Sequence, residues 1–217
     1  MNNNEQDEEL FKKHFRVAIF GSARITNNDP TYTQIYQLAK LIAAENIDVI
    51  TGGGPGLMDA ANSGHQDGRK NLDCYSIGLN ICLPDEQKPN LHLDIKKEFH
   101  RFSKRLDTFM ALSNAVVVAP GGVGTLLELV YTWQLLQVKH IENIPIILLG
   151  DMWKEFLRWV HKNPLKNNYL DNDDLDSFFI AQDINDAFKT IKKCHELYQK
   201  GIPEICTQLN KNRDLKL

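Results

Sequence analysis

An excess of basic residues is the first thing this 217-residue chain lacks: 25 Lys and Arg stand against 28 Asp and Glu, for a formal charge of −3. A protein that neutralises a run of phosphates needs such an excess, so nucleic acid is disfavoured as the main partner. Small anions stay within reach, because backbone amides can bind them. No apolar run approaches the roughly 20 residues that a bilayer demands, so no membrane association is expected. The opening residues Met1 to Leu10 are polar and acidic where a signal peptide is basic and then apolar, which predicts a cytoplasmic location. Cys74, Cys82, Cys194 and Cys206 form no C-x-x-C pair and read as structural thiols. The seven histidines show no ligand spacing, so no metal is expected. With 13 Gly, 8 Pro, 42% hydrophobic and 24% charged residues, collagenous, low-complexity and disordered classes are excluded.

What is present is an alternation of short apolar runs with helical periodicities. Val17 to Phe20 reads as a strand, and Asp29-Pro30 as the cap and first residue of a helix carrying Ile35, Leu38, Ala39, Leu41 and Ile42. Ile47 to Ile50 follows as a strand, then a helix from about Leu57 to Gln66, a strand at Cys74 to Leu79 and a helix from roughly Phe99 to Leu112. The most apolar strand, Ala115 to Ala119, precedes a helix at Leu126 to Val138, a strand at Ile144 to Leu149, a helix at Met152 to His161 and a last helix from about Ile184 to Tyr198. Continuously apolar strands alternating with amphipathic helices predict an α/β fold, Rossmann-like and doubly wound, with a mainly parallel sheet covered by helices on both faces. Neither repeat nor linker divides the chain, so residues 1–217 read as a single domain, with about 1–13 and 203–217 as loosely attached tails.

Two glycine-rich loops each join a predicted strand to a predicted helix, Thr51 to Gly56 and Pro120 to Thr125. That places both at the carboxyl edge of the sheet, where open α/β folds bind ligands. Glycine lets a phosphate approach the backbone, and the amides and dipole of the next helix bind it without a lysine. Gly121, Gly122, Gly124 and Thr125 suit that role. Leu57 and Leu127 occupy the final glycine position of G-x-G-x-x-G, and no Gly-Lys-Ser/Thr is present, so NAD binding and ATP hydrolysis are disfavoured. Glu128 stands three residues beyond Thr125 and can face the same pocket; Arg105 lies on the helix before the apolar strand, among basic residues that could equally form a solvated face.

Gly52-Gly-Gly-Pro-Gly-Leu-Met58 and Pro120-Gly-Gly-Val-Gly-Thr-Leu-Leu-Glu128 resemble the two hallmark motifs of the Lonely Guy (LOG) family, nucleoside 5′-monophosphate phosphoribohydrolases often labelled lysine decarboxylases. The resemblance runs from about Val17 to Val160 and includes Leu83 to Asn90 and Glu98-Phe-His100, which look like the bacterial branch. It implies catalytic roles for Arg105 and Glu128. It also implies a substrate site built from Ser22, Gly53, Gly54, Glu86, Gly121, Gly122, Gly124 and Thr125. The implied reaction is hydrolysis of the N-glycosidic bond of AMP or a cytokinin-type N6-modified AMP, with no cofactor. Many members carry Arg-Lys where this chain has Arg105-Leu106; its Lys104-Arg-Leu106 is similar to larger pyrimidine/purine monophosphate nucleosidases. A homodimer is implied as well, with Leu129, Val130, Trp133 and Leu136 as apolar surface beyond what one sheet face needs. Molybdenum-cofactor carrier proteins share this fold and hold a phosphorylated ligand without turning it over, which is the alternative reading. A pyridoxal-phosphate decarboxylase would need a Schiff-base lysine beside a phosphate loop, and the His161-Lys162 pair is far from both loops in sequence.

Overall fold

In the computed structural model, residues 3–71, 73–82, 88–202 and 205–210 are described. Seven strands, β1 (Arg16–Phe20), β2 (Asp48–Thr51), β3 (Ser76–Ile81), β4 (Ile95–Phe99), β5 (Ala115–Val118), β6 (Ile146–Leu149) and β7 (Phe178–Ala181), form one sheet in the order β4-β3-β2-β1-β5-β6-β7. Every pairing is parallel. The helices are α1 (Asn3–Leu10), α2 (Pro30–Ala44), α3 (Leu57–Gly68), α4 (Phe102–Leu112), α5 (Val123–Gln137), α6 (Met152–Val160), α7 (Ile184–Gln199) and α8 (Ile205–Asn210). Among the described residues no helix is long and apolar enough to cross a membrane.

The strands' two-residue period divides the core. Val17 and Ile19 of β1 enter one apolar cluster with α2, α3 and α7, while Ala18 and Phe20 enter the other with α4 and α6. Because both faces are buried, β1, β5 and β6 are apolar almost throughout, which is why they were readable as strands; β2 carries its apolar Val49 and Ile50 between buried Asp48 and Thr51. Helix α2 starts as its sequence predicts: the Asp29 side chain accepts from the Thr31 amide at 2.7 Å and Pro30 opens the first turn. From β1 the chain winds outward through β2 to β4, then returns to the other side of β1 at β5. That reversal leaves a crevice at the carboxyl ends of β1 and β5.

The structure corrects three local expectations. Residues 95–99 form an edge strand and α4 begins at Phe102, not Phe99; β4 alternates buried Ile95 and Phe99 with exposed Lys96 and Glu98, the pattern of an edge open to water on one face. β7 was missed because four apolar residues carry no period that separates strand from helix. Within the two segments expected to be loosely attached, some described residues are packed: Leu10 is fully buried against the α4 side of the sheet, and Ile205 and Cys206 are buried on the opposite side. Apolar burial holds these residues where their polar flanks suggested detachment. No disulfide links the four cysteines.

His65 on α3 is fully buried, with Nε2 2.9 Å from the Ile47 carbonyl and Nδ1 unpartnered. Burial disfavours the imidazolium and lowers its pKa to about 4. Between pH 6.5 and 4 the unfolded chain therefore binds a proton that the folded chain refuses, so stability is lost as pH falls through that window, by about 3 kcal/mol. Urea midpoints at pH 7 and pH 4.5 should fall further for the native protein than for His65→Leu; parallel falls would show that His65 does not carry this acid sensitivity.

Candidate active site

A cavity of about 680 Å³ opens in the crevice, walled by the ends of β1, β2 and β3, the first turn of α5 and the middle of α4. Ser22, Gly54, Arg105, Gly122, Gly124, Thr125 and Glu128, all singled out in the sequence, line it.

The α5 end of the cavity is a cradle whose chemistry can take an anion. Helix α5 starts at Val123 rather than Leu126, so the glycine motif itself forms the first turn, and Gly122 at the cap position has no side chain to satisfy the amides there. Neither Gly122 nor Gly124 has a positive φ, and a Cβ added to either would meet nothing within 4 Å. Nothing in the protein thus demands glycine at these positions. What their bareness preserves is open space in front of unsatisfied N–H groups and a positive helix end. Gly121 plays another part: a Cβ there would lie 2.1 Å from Thr125 Oγ1, so this glycine lets the buried threonine pack under the turn.

Arg105 and Glu128 meet in the cavity wall. Arg105 is buried, its Nε donating to the Leu79 carbonyl at 2.7 Å and its guanidinium 5.1 Å from the Phe109 ring centre. A Cβ on Gly52 would stand 2.3 Å from Arg105 Nη2, so the first glycine loop is bare where the guanidinium passes beneath it. Arg105 Nη1 and Glu128 Oε1 are 3.5 Å apart, an ion-pair distance too long for a good hydrogen bond. With their side chains only 9% and 13% exposed, burial dominates both titrations: it lowers the arginine and, against the pull of Arg105, raises the Glu128 carboxyl to about 7. A carboxyl poised between its two forms at neutral pH suits proton transfer and cation stabilisation.

Other positions fall differently. Gly53 does not line the cavity; it turns the loop at φ +68°, donating its amide to Thr51 Oγ1 at 2.9 Å while its carbonyl accepts from the Asn90 amide at 2.8 Å. Glu86 lies outside the described residues. Sequence reasoning missed Gly52, Met58 and Asn80 in the wall; an asparagine inside the otherwise apolar run Ile77 to Ile81 was the available signal. Among the described residues no cluster of three His, Cys, Asp or Glu could hold a metal.

The sequence pattern of the family described as "Possible lysine decarboxylase" matches residues 58–191. The chain belongs to this family. It is the LOG family, and in this LOG chain the matched stretch carries Arg105, the second glycine motif and Glu128. The pyrimidine/purine nucleotide 5′-monophosphate nucleosidase of Escherichia coli K12 is 26% identical over 140 residues, 62% of this chain and 30% of that protein. The chain therefore spans under a third of the length of the curated relatives it matches. Among solved structures, the molybdenum cofactor carrier protein of Chlamydomonas reinhardtii is similar with a TM-score of 0.62 at 20% identity, covering 85% of this chain and 99% of that one. The molybdenum cofactor binding protein of Rippkaea orientalis is similar with a TM-score of 0.59 at 23% identity, covering 84% and 97%. These likenesses establish the fold. A decarboxylase chemistry of the kind the family's label suggests does not fit the cavity: pyridoxal phosphate needs a lysine for its Schiff base, and among the described residues lining the cavity the basic side chains are Arg24 and Arg105.

Proposed function

We propose that this protein hydrolyses the N-glycosidic bond of a nucleoside 5′-monophosphate, AMP or an N6-modified AMP, to free base and ribose 5-phosphate. The observation that carries this reading is the buried Arg105–Glu128 pair, its carboxyl raised to about 7, in the same cavity as the anion cradle. The amides of the α5 turn hold the 5′-phosphate and so fix the ribose over Glu128. Water oxygen bonds to C1′ as the C1′–N bond breaks; the departing base takes a proton and the water loses one. The carboxylate stabilises the oxocarbenium-like sugar and accepts the water proton, while Arg105 holds Glu128 and the ribose hydroxyls.

A carrier of a phosphorylated ligand is the second reading, favoured by the likeness in fold to the molybdenum cofactor carriers. A buried acid beside the anion cradle weakens ground-state binding and helps only when positive charge develops on the sugar, which supports hydrolysis. Chromatography of nucleoside monophosphate digests should show adenine and ribose 5-phosphate from AMP, with adenosine turned over at least a thousandfold more slowly. Release of inorganic phosphate, or comparable adenosine turnover, would overturn the reading.

We propose further that two copies associate about a twofold axis through α5. Of the four residues that suggested this, Leu129 is fully buried and Trp133 is spent on the core, its Nε1 donating to the Asp174 carbonyl at 2.7 Å. The exposed apolar stripe is instead Val123, Leu127, Val130 and Val138. Light scattering at micromolar concentration should report a dimer that Leu127→Lys with Val130→Lys dissociates; a native monomer would refute it.

A further inference from the structure

Asn80, on β3, is 4% exposed, stands in the cavity wall, and its Oδ1 has no hydrogen-bond partner. A buried amide oxygen left unpaired is costly, and folded proteins nearly always avoid it. The neighbouring amides show that this part of the fold can satisfy such groups. Asn62 accepts from Thr51 Oγ1 at 2.7 Å and from Asn90 Nδ2 at 3.0 Å, and donates to Ser76 Oγ at 2.9 Å. Asn90 donates to the Gly54 carbonyl at 2.9 Å and accepts from the His92 amide at 3.1 Å. Of these three asparagines around the first glycine loop, the one in the cavity wall is the one with an unpaired buried atom. Among the described residues the other buried unpaired side-chain atoms, His65 Nδ1, Trp153 Nε1 and Asn210 Oδ1, belong to residues away from the cavity lining.

Position in the fold says which part of a bound nucleotide would lie nearest Asn80, whose Oδ1 rests against the bare Gly53. The anion cradle follows β5, and three strand spacings, about 14 Å, separate β5 from β3. Between them sits Arg105, anchored on the carbonyl of Leu79, the residue before Asn80. A nucleotide held by its phosphate at α5 with its sugar at Arg105 and Glu128 therefore extends its nucleoside half toward β3. Resting on the nucleotide reading above, we propose that Asn80 determines specificity, its side-chain amide hydrogen-bonding a polar group of the nucleoside half, a ribose hydroxyl or the exocyclic amine of the base.

Asn80→Leu keeps the approximate shape and removes the amide. The expected result combines two shifts that a structural residue would not combine: a melting temperature unchanged or raised, because no protein partner loses a bond, and a KM for AMP at least tenfold higher. Substrate analogues separate the two sources. If the amide reads the amine, the native protein prefers AMP over IMP by tenfold or more in kcat/KM and Asn80→Leu removes that preference; if it reads a hydroxyl, the same holds for AMP over 2′-deoxy-AMP. Unchanged KM and unchanged preferences in Asn80→Leu overturn the proposal, as does a native protein indifferent to both analogues. Should the native protein release no base from any nucleotide, the hydrolase reading fails by itself. AMP calorimetry then decides about Asn80: tenfold weaker binding by Asn80→Leu supports it, while equal binding, or no binding by the native protein, overturns it.

Discussion

Replacing Glu128 by Gln should lower kcat for AMP by a hundredfold or more while AMP binds as well as before or better. The neutral amide keeps the size of the side chain and part of its hydrogen bonding, but it offers neither a negative charge to the developing sugar cation nor a base to the attacking water. The same substitution should make the protein more stable. A carboxyl raised from 4.5 to about 7 in the folded state is one whose ionisation the fold opposes, even with Arg105 at 3.5 Å. The unfolded chain gives up that proton first, so stability falls as pH rises through 7, and an amide that never ionises escapes the loss. Discounted for the residual exposure, the gain at pH 8 is about 1–2 kcal/mol, or a melting temperature higher by several degrees for a chain of this size. Activity has the opposite pH dependence: kcat/KM needs the ionised carboxylate and should fall below an apparent pKa near 7. Calorimetry, thermal melts and base release on one Glu128→Gln preparation test all three. Loss of nucleotide binding together with activity would make Glu128 a ligand-holding residue, and undiminished turnover would remove it from the chemistry.

Gly124→Ala should raise the KM for AMP at least tenfold without lowering stability. Its Cβ would meet nothing within 4 Å in the protein and its φ is not positive, so the backbone accepts alanine; inside α5, alanine is the better helix former by about 1 kcal/mol. The cost falls on the ligand, because the methyl group occupies the space in which a phosphate would contact the helix amides. Gly122→Ala should raise KM in the same way, with a modest loss of stability, because alanine is a poorer residue than glycine at the cap position. Gly121→Ala serves as the contrast, since its Cβ collides with Thr125 and should reduce stability as well as binding. Steady-state kinetics with thermal melts distinguish these outcomes, and an unchanged KM in Gly124→Ala would show that the phosphate does not sit at α5.

The strands that the sequence revealed best are those buried on both faces. Ala115 to Val118 and Ile146 to Leu149 have no solvent side, so nothing interrupts their apolar character. β4 and β7, at the two edges of the sheet, were hidden for complementary reasons: one half polar because it faces water, the other too short to show a period. The glycine motifs were legible because backbone chemistry is written directly in residue type. Their division of labour was not: Gly122 and Gly124 lie open to a ligand, whereas Gly121 and Gly53 serve the protein's own turns.

The chain by itself determined that a parallel sheet would carry two glycine loops at one edge, because the alternation of buried strand and amphipathic helix admits few other arrangements and each loop follows a strand. It also determined that an acid would stand near the second loop, one helical turn being enough to bring Glu128 back to the side of Thr125. That Arg105 reaches this acid, that both are shielded from water enough to move the carboxyl to about 7, and that Asn80 is left without a partner in the same wall, only the tertiary structure decided. Dielectric shielding and side-chain contact depend on elements brought together from distant parts of the sequence, and no local pattern encodes them.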